Sequence, residues 1–145
     1  MLREMQAIGN KHAPTMYKAE AAMKTGMLVT IKDADGVVSL PTTATSKDLY
    51  WVTKERIPTG LNAARTEFSD YETEFNEIAV GEFVKLIPMQ FGERYATDQF
   101  AEGLAVGDAV ESVKGVATKA TGDSNLKCVG TYVDNGHKLM IIRKV

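Results

Sequence analysis

The side chains that could do chemistry in this 145-residue sequence are few and scattered. Its two histidines, His12 and His137, lie near opposite ends of the chain. A metal centre needs His, Cys, Asp or Glu at close, characteristic spacing, and no such grouping is present. The single cysteine, Cys128, stands among Leu126, Val129 and Tyr132 and reads as a buried thiol acting as a small hydrophobe. A reactive thiol would need a depressed pKa and a neighbouring base. Glu67, Asp70, Glu72, Glu74 and Glu77 form an acidic stretch that could attract a cation or a basic partner. A calcium loop alternates its carboxylates around a glycine, and this stretch does not, so it reads as a solvated flank. Asp33-Ala34-Asp35-Gly36 begins like such a loop but lacks the downstream glutamate and lies between strands, which makes it a hairpin turn. No GxxxxGK[ST] or GxGxxG phosphate loop and no Gly-x-Ser-x-Gly elbow occurs. The reading that follows is a protein that is not an enzyme and needs no metal or cofactor.

Composition narrows the class further. Seventeen basic and 19 acidic residues give a formal charge of −2, without the basic excess that a nucleic-acid binder uses on phosphates. No basic amphipathic stretch suits a membrane surface, and no apolar run approaches the roughly 18 residues of a membrane span. Met1-Leu2-Arg3-Glu4-Met5-Gln6 mixes charges and has no apolar signal core, so the expectation is a chain made and kept in the cytoplasm or assembled there into something larger. A 44% hydrophobic content over this length supports one domain with a real core.

The elements that would position any working residue are mostly strands. Residues 1–25 read as an N-terminal arm with a short helix over Thr15–Lys24, where Met16, Ala19, Ala22 and Met23 recur at helical spacing ahead of Gly26. Ala21-Ala22-Met23-Lys24 resembles the modified-lysine hairpin of biotin carriers only faintly, and its place in helix-forming sequence sets it aside. Residues 26–145 read as a β-barrel domain. Met27–Leu40 is a hairpin, Leu49–Val52 a strand, and Ile57–Asn76 a long excursion with helical turns, in which Leu61, Ala64, Phe68, Tyr71 and Phe75 recur at three or four residues. Strands are expected at Ile78–Val80, Glu82–Pro88, Arg94–Thr97, Ala109–Val113, Gly115–Lys119, Leu126–Val133 and Lys138–Val145, the last two joined by the hairpin signal Asp134-Asn135-Gly136. The fold class is mainly β, a small barrel or sandwich.

One pattern recurs along these strands. Gly26, Gly81 and Gly107 each open a strand whose third following residue is a valine, Val29, Val84 and Val110. Glycine permits the bend into a tightly curved sheet, and the valine points into the core. From Gly81 the chain runs Gly81-Glu-Phe-Val-Lys-Leu, Gly92-Glu-Arg-Tyr-Ala-Thr-Asp-Gln-Phe, Gly103-Leu-Ala-Val-Gly-Asp-Ala-Val, then Lys114-Gly115-Val116. This rhythm resembles the small β-barrel decoration, or head-cement, proteins of tailed bacteriophages, over roughly Gly26–Val145 and most strongly from Gly81 onward. In that family the stretch resembling Gly107-Asp108-x-Val110 opens a barrel strand.

The resemblance implies a virion protein, made in the bacterial host cytoplasm, that binds the outside of a capsid. It would stabilise the shell by bridging capsid subunits, with the major capsid protein and further copies of itself as partners. The arm and the excursion would make the contacts. Met16, Tyr17, Met23, Phe68, Tyr71 and Phe75 are the candidate apolar anchors, set against the plainer reading that they pack on their own barrel. A tail or neck protein is one alternative. A β-barrel module binding a ligand or nucleic acid is another, and the acidic balance weighs against nucleic acid.

Overall fold

A computed structural model describes residues 1–9, 16–55 and 71–145 of the chain, with the side chain of Glu74 set aside. In chain order its elements are β1 (Leu2–Gln6), β2 (Lys18–Ala19), β3 (Met23–Lys24), β4 (Leu28–Lys32), β5 (Val37–Ser39), β6 (Tyr50–Lys54), α1 (Thr73–Asn76) and β7 (Glu77–Ile78). They continue with β8 (Val84–Pro88), β9 (Arg94–Thr97), β10 (Val110–Val113), β11 (Val116–Lys119), β12 (Leu126–Asp134) and β13 (His137–Lys144). The chain is mainly β, as its short strands and turn signals imply.

The strands form two principal sheets. One has the order β2-β5-β4-β6-β8 and the other β1-β9-β13-β12, with two-stranded ribbons β10-β11 and β3-β7 beside them. In the five-stranded sheet, β2 lies parallel to β5 while the remaining pairs are antiparallel. An isolated bridge between Lys18 and Phe83 joins the two edges of that sheet at one place. The sheet therefore wraps toward a barrel, and among the described residues no continuous ladder closes it.

Strands β4 and β6 explain how the two sheets become one body. Leu28 and Trp51 point into a core shared with Tyr95, Val110, Ala117, Leu126, Met140 and Ile142. Their chain neighbours Val29 and Val52 point the opposite way, into a core with Val38, Ile78, Val84 and Leu86. All four are completely buried. Alternate residues of a strand face opposite sides, so a strand covered on both sides needs consecutive apolar residues, which Leu28-Val29 and Trp51-Val52 supply. A third, smaller core of Met1, Ala96 and Leu139 lies under Tyr71 and Ile141.

Two expectations for the first 25 residues are corrected. Residues 2–6 are not a loose arm: β1 pairs antiparallel with β9, and Met1 is buried. The expected helix over Thr15–Lys24 is replaced by β2 and β3, Thr15 itself lying outside the described residues. Helix propensity loses here to backbone demand at a seam. The N–H groups of Lys18 and Glu20 bond to Gly36 and Val38 on one side, while Ala19 N–H bonds to Glu82 on the other. That segment supplies partners both to the first hairpin and to the chain entering β8. Of the excursion over Ile57–Asn76, residues 57–70 lie outside the described residues, and its end carries α1.

Candidate interaction surface

The six candidate anchors end in different places. Met23 is 3% exposed and belongs to the core around Val52, so its side chain is not offered to a partner. Tyr17 packs partly on the same core, and its hydroxyl donates to Asp33 Oδ1 at 2.7 Å, a bond that raises its pKa. Tyr71 packs over the third core, and Phe75 is half-buried in α1. Phe68 lies outside the described residues. Met16 is 72% exposed and is the one candidate here that faces solvent freely.

Met16 does not stand alone. Lys18 and Phe83 are opposite one another across the seam, so their side chains share its outer face, and the Lys18 ammonium lies 5.1 Å from the Phe83 ring centre. Phe83 is 46% exposed, and Val80, at the turn just before it, is 66% exposed. Met16 precedes Lys18 by two residues on the same run of chain. Phe83 beside Lys18, Val80 in the turn before it and Met16 two residues ahead of Lys18 are thus three exposed apolar residues along the seam.

Next to the seam is an open hollow of about 630 Å³ lined by Met23, Met27, Ile78, Ala79, Thr73 and Lys54, among others. Lys54 Nζ donates to the Glu77 carbonyl at 2.6 Å and stands 3.3 Å from Glu82 Oε1, which ties β6 to the turn before β8.

That turn belongs to a set that the glycine pattern captures incompletely. In Ala79-Val80-Gly81-Glu82, Gln90-Phe91-Gly92-Glu93 and Ala105-Val106-Gly107-Asp108, the fourth N–H donates to the first carbonyl. The fourth carboxylate in turn accepts the first N–H, at 2.7, 2.7 and 3.0 Å respectively. The glycine N–H groups bond to the neighbouring carbonyls of Ala19, Lys144 and Cys128. Positive φ at the third position is the type II geometry that glycine adopts without strain. The second residue of each turn is thrown outward: Val80, Phe91 and Val106 are 66%, 78% and 58% exposed. Gly26 shares the backbone form, with the Met27 sulfur 3.3 Å from Lys24 N in place of the carboxylate. The sequence signal for the full motif is an apolar residue, glycine, then an acid. It adds Gly92 to Gly81 and Gly107.

A second polar cluster anchors Tyr71. Its hydroxyl donates to Asp134 Oδ2 at 3.0 Å, and Arg3 Nε donates to the same oxygen at 2.8 Å. The Tyr71 ring stacks on His137, with centroids 3.7 Å apart and an interplanar angle of 11°. Burial, with the bond to Asp134, pushes the Tyr71 hydroxyl up to about 12. The Arg3 guanidinium holds the Asp134 carboxyl below the usual carboxylate range. Such a carboxyl stabilises the fold fully above its unfolded pKa of about 4, and the contribution is lost as pH falls through the lower folded value. Asp134→Asn is therefore expected to be less stable than the parent at neutral pH, with the two stability curves converging in acid. Thermal unfolding across that range checks it, and parallel curves would contradict the ion pair.

The remaining chemistry-bearing residues stay apart. Burial raises the Cys128 pKa. His12, Glu67 and Asp70 lie outside the described residues. Among the described residues, no three His, Cys, Asp or Glu side chains are grouped to hold a metal ion. The Ala21–Lys24 string, set aside as helical, ends in β3 instead, but β3 pairs with the distant β7 and makes no hairpin around Lys24. No helix among the described residues is long and apolar enough to cross a membrane. No family model, no curated protein and no solved structure matches this chain.

Proposed function

We propose that this chain is a structural virion protein that binds the outside of a tailed-phage capsid and bridges neighbouring capsid subunits. It would do so by surface contact, without a catalytic step. The observation that carries the reading is the exposed group Met16, Phe83 and Val80 at the seam of the wrapped sheet. Phe83 on bridged backbone and Val80 on turn backbone suit a static docking surface, because little conformational freedom is lost when they are covered. The glycine rhythm from Gly81 onward supports the same reading. It builds turns that throw apolar tips outward, as decoration of a larger surface requires.

The test is co-sedimentation of the purified chain with expanded heads assembled from the major capsid protein encoded in the same genome. The chain is expected to pellet at a fixed ratio to capsid protein. A Met16→Asp, Phe83→Asp double variant that unfolds at the parent temperature should remain in the supernatant. Failure of the parent chain to pellet, or pelleting of the folded double variant at the parent ratio, would overturn the reading.

The hollow beside the seam favours a second reading, a module that holds a small apolar ligand against Met23, Met27 and Ile78. Saturable binding of an apolar fluorescent probe, abolished by Ile78→Trp in a folded variant, would favour that reading.

A further inference from the structure

Among the described residues, the last hairpin leaves part of one sheet edge open. Asp134 and His137 flank the two-residue turn and face each other in register, so they form its closing bonded pair. Bonded pairs then recur at alternate positions, Tyr132 with Leu139 and Gly130 with Ile141. The N–H and C=O groups of Thr131 and Val133 consequently point away from β13. β12 is the outermost strand of its sheet, and no described group bonds to these four. Lower on the same edge the chain covers itself: Cys128 N–H donates to Asp108 and its carbonyl accepts from Gly107. The open window is thus Gly130–Asp134, between the bulge at Cys128/Gly130 and the turn.

Among the described residues, the other edges of the two principal sheets are guarded at least in part. β1 carries a bulge between Glu4 and Gln6 and the charges of Arg3 and Glu4, and the edges of the five-stranded sheet are joined at Lys18 and Phe83. The β12 window has no lysine and no proline, the usual protections of an exposed edge. It presents Thr131, Tyr132 and Val133, all exposed, Val133 at 67%. These are residue types suited to strand pairing.

We propose that a second copy of this chain pairs on this edge, β12 against β12, antiparallel about a two-fold axis at Tyr132. The window is complementary to itself in one register. Thr131 faces Val133 of the second copy and Val133 faces its Thr131, so all four outward groups of each copy are bonded. Tyr132 meets its own equivalent at an unbonded position. The one charge in the window, Asp134, falls opposite Gly130, so no like charges meet and no side chain crowds it. The contact is isologous and closes as a dimer rather than growing into a fibre. Five residues on each side make a small interface, so the dimer is reversible and concentration-dependent. This pairing specifies the self-association that the shell-binding reading expects, yet it rests on the edge alone.

The test uses the purified full chain without any shell. Failure here therefore leaves co-sedimentation with heads unaffected, and failure there leaves this result unaffected. Sedimentation equilibrium is expected to show the mass rising toward twice the monomer value with concentration. Val133→Pro removes an outward N–H that the hairpin does not use, and it is expected to hold the chain as a monomer at the parent's unfolding temperature. Mild oxidation should cross-link Tyr132→Cys as a symmetric dimer, because unbonded antiparallel pairs stand about 4.5 Å apart at Cα, within disulfide reach. Thr131→Cys, displaced diagonally from its equivalent, should not cross-link. Should the proline variant fail to fold, the cysteine pair decides. A monomer at every concentration, a folded proline variant that still dimerises, or equal cross-linking of the two cysteine variants would overturn the proposal.

Discussion

Replacing Trp51 with alanine is expected to cost about 3–5 kcal/mol of unfolding free energy, a large share of what a domain of this size possesses. Trp51 is fully buried on β6, and its ring lies 6.0 Å from that of Tyr95 on the opposing sheet. It fills the core where β4, the four-stranded sheet and the β10-β11 ribbon converge, so its removal opens a cavity that no single element can collapse into. The indole Nε1 has no hydrogen-bond partner among the described residues. Trp51→Phe therefore keeps much of the apolar volume and removes an unsatisfied donor, and its expected cost is no more than about half that of alanine. Chemical denaturation of the three proteins measures both differences. Equal losses for phenylalanine and alanine would mean that the donor, not the volume, matters.

Gly26→Ala is expected to be nearly as damaging, at about 3–4 kcal/mol, whereas Gly81→Ala should cost about 1–2 kcal/mol. Both glycines have positive φ, +93° and +81°, which an added Cβ opposes. The difference lies in their surroundings. A Cβ on Gly26 would stand 2.6 Å from the Met1 carbonyl oxygen and 2.6 Å from Thr97 Oγ1, while at Gly81 nothing lies within 4 Å. The Thr97 hydroxyl donates to the Gly26 carbonyl at 2.8 Å and accepts from Gln99 N–H, so it is not free to move aside. The chain at Gly26 joins the two sheets, and an added methyl group would push β1 and β9 away from β4. Paired denaturation curves test this, and equal costs at the two sites would contradict it.

These two positions also show how far the sequence could be read. Most strands from Met27 onward were legible because their apolar runs are bounded by turn residues, but of the strand expected at Ile78–Val80 only Ile78 lies in β7, Ala79 and Val80 belonging to a turn. The Asp134–His137 hairpin follows from Asn135-Gly136 alone. Val29, Val84 and Val110, three residues after their glycines, are all fully buried. What the sequence did not disclose was pairing over long separations. Nothing local says that Lys18-Ala19 will close a seam between Val38 and Glu82, and the helical spacing of Met16, Ala19 and Met23 is the stronger local signal in that segment. The anchors divided for a related reason. Met23 and Met16 are chemically alike, and only the placement of β3 against β7 buries one while the other stays in solvent. Phe83, Val80 and Phe91 carry no local sign of exposure, because an apolar residue within a strand or beside a glycine has the sequence pattern of core until the turn geometry turns it outward.

The proposed capsid-binding role rests on the outer faces, so the decisive measurement is made on the shell itself. Heads of the cognate phage lacking this chain are heated with and without the purified protein, and the temperature at which packaged DNA escapes is recorded. Bound chain is expected to raise that temperature, and the Met16→Asp, Phe83→Asp variant to leave it unchanged. Heads that release DNA at the same temperature with the chain present in excess would contradict the proposed role.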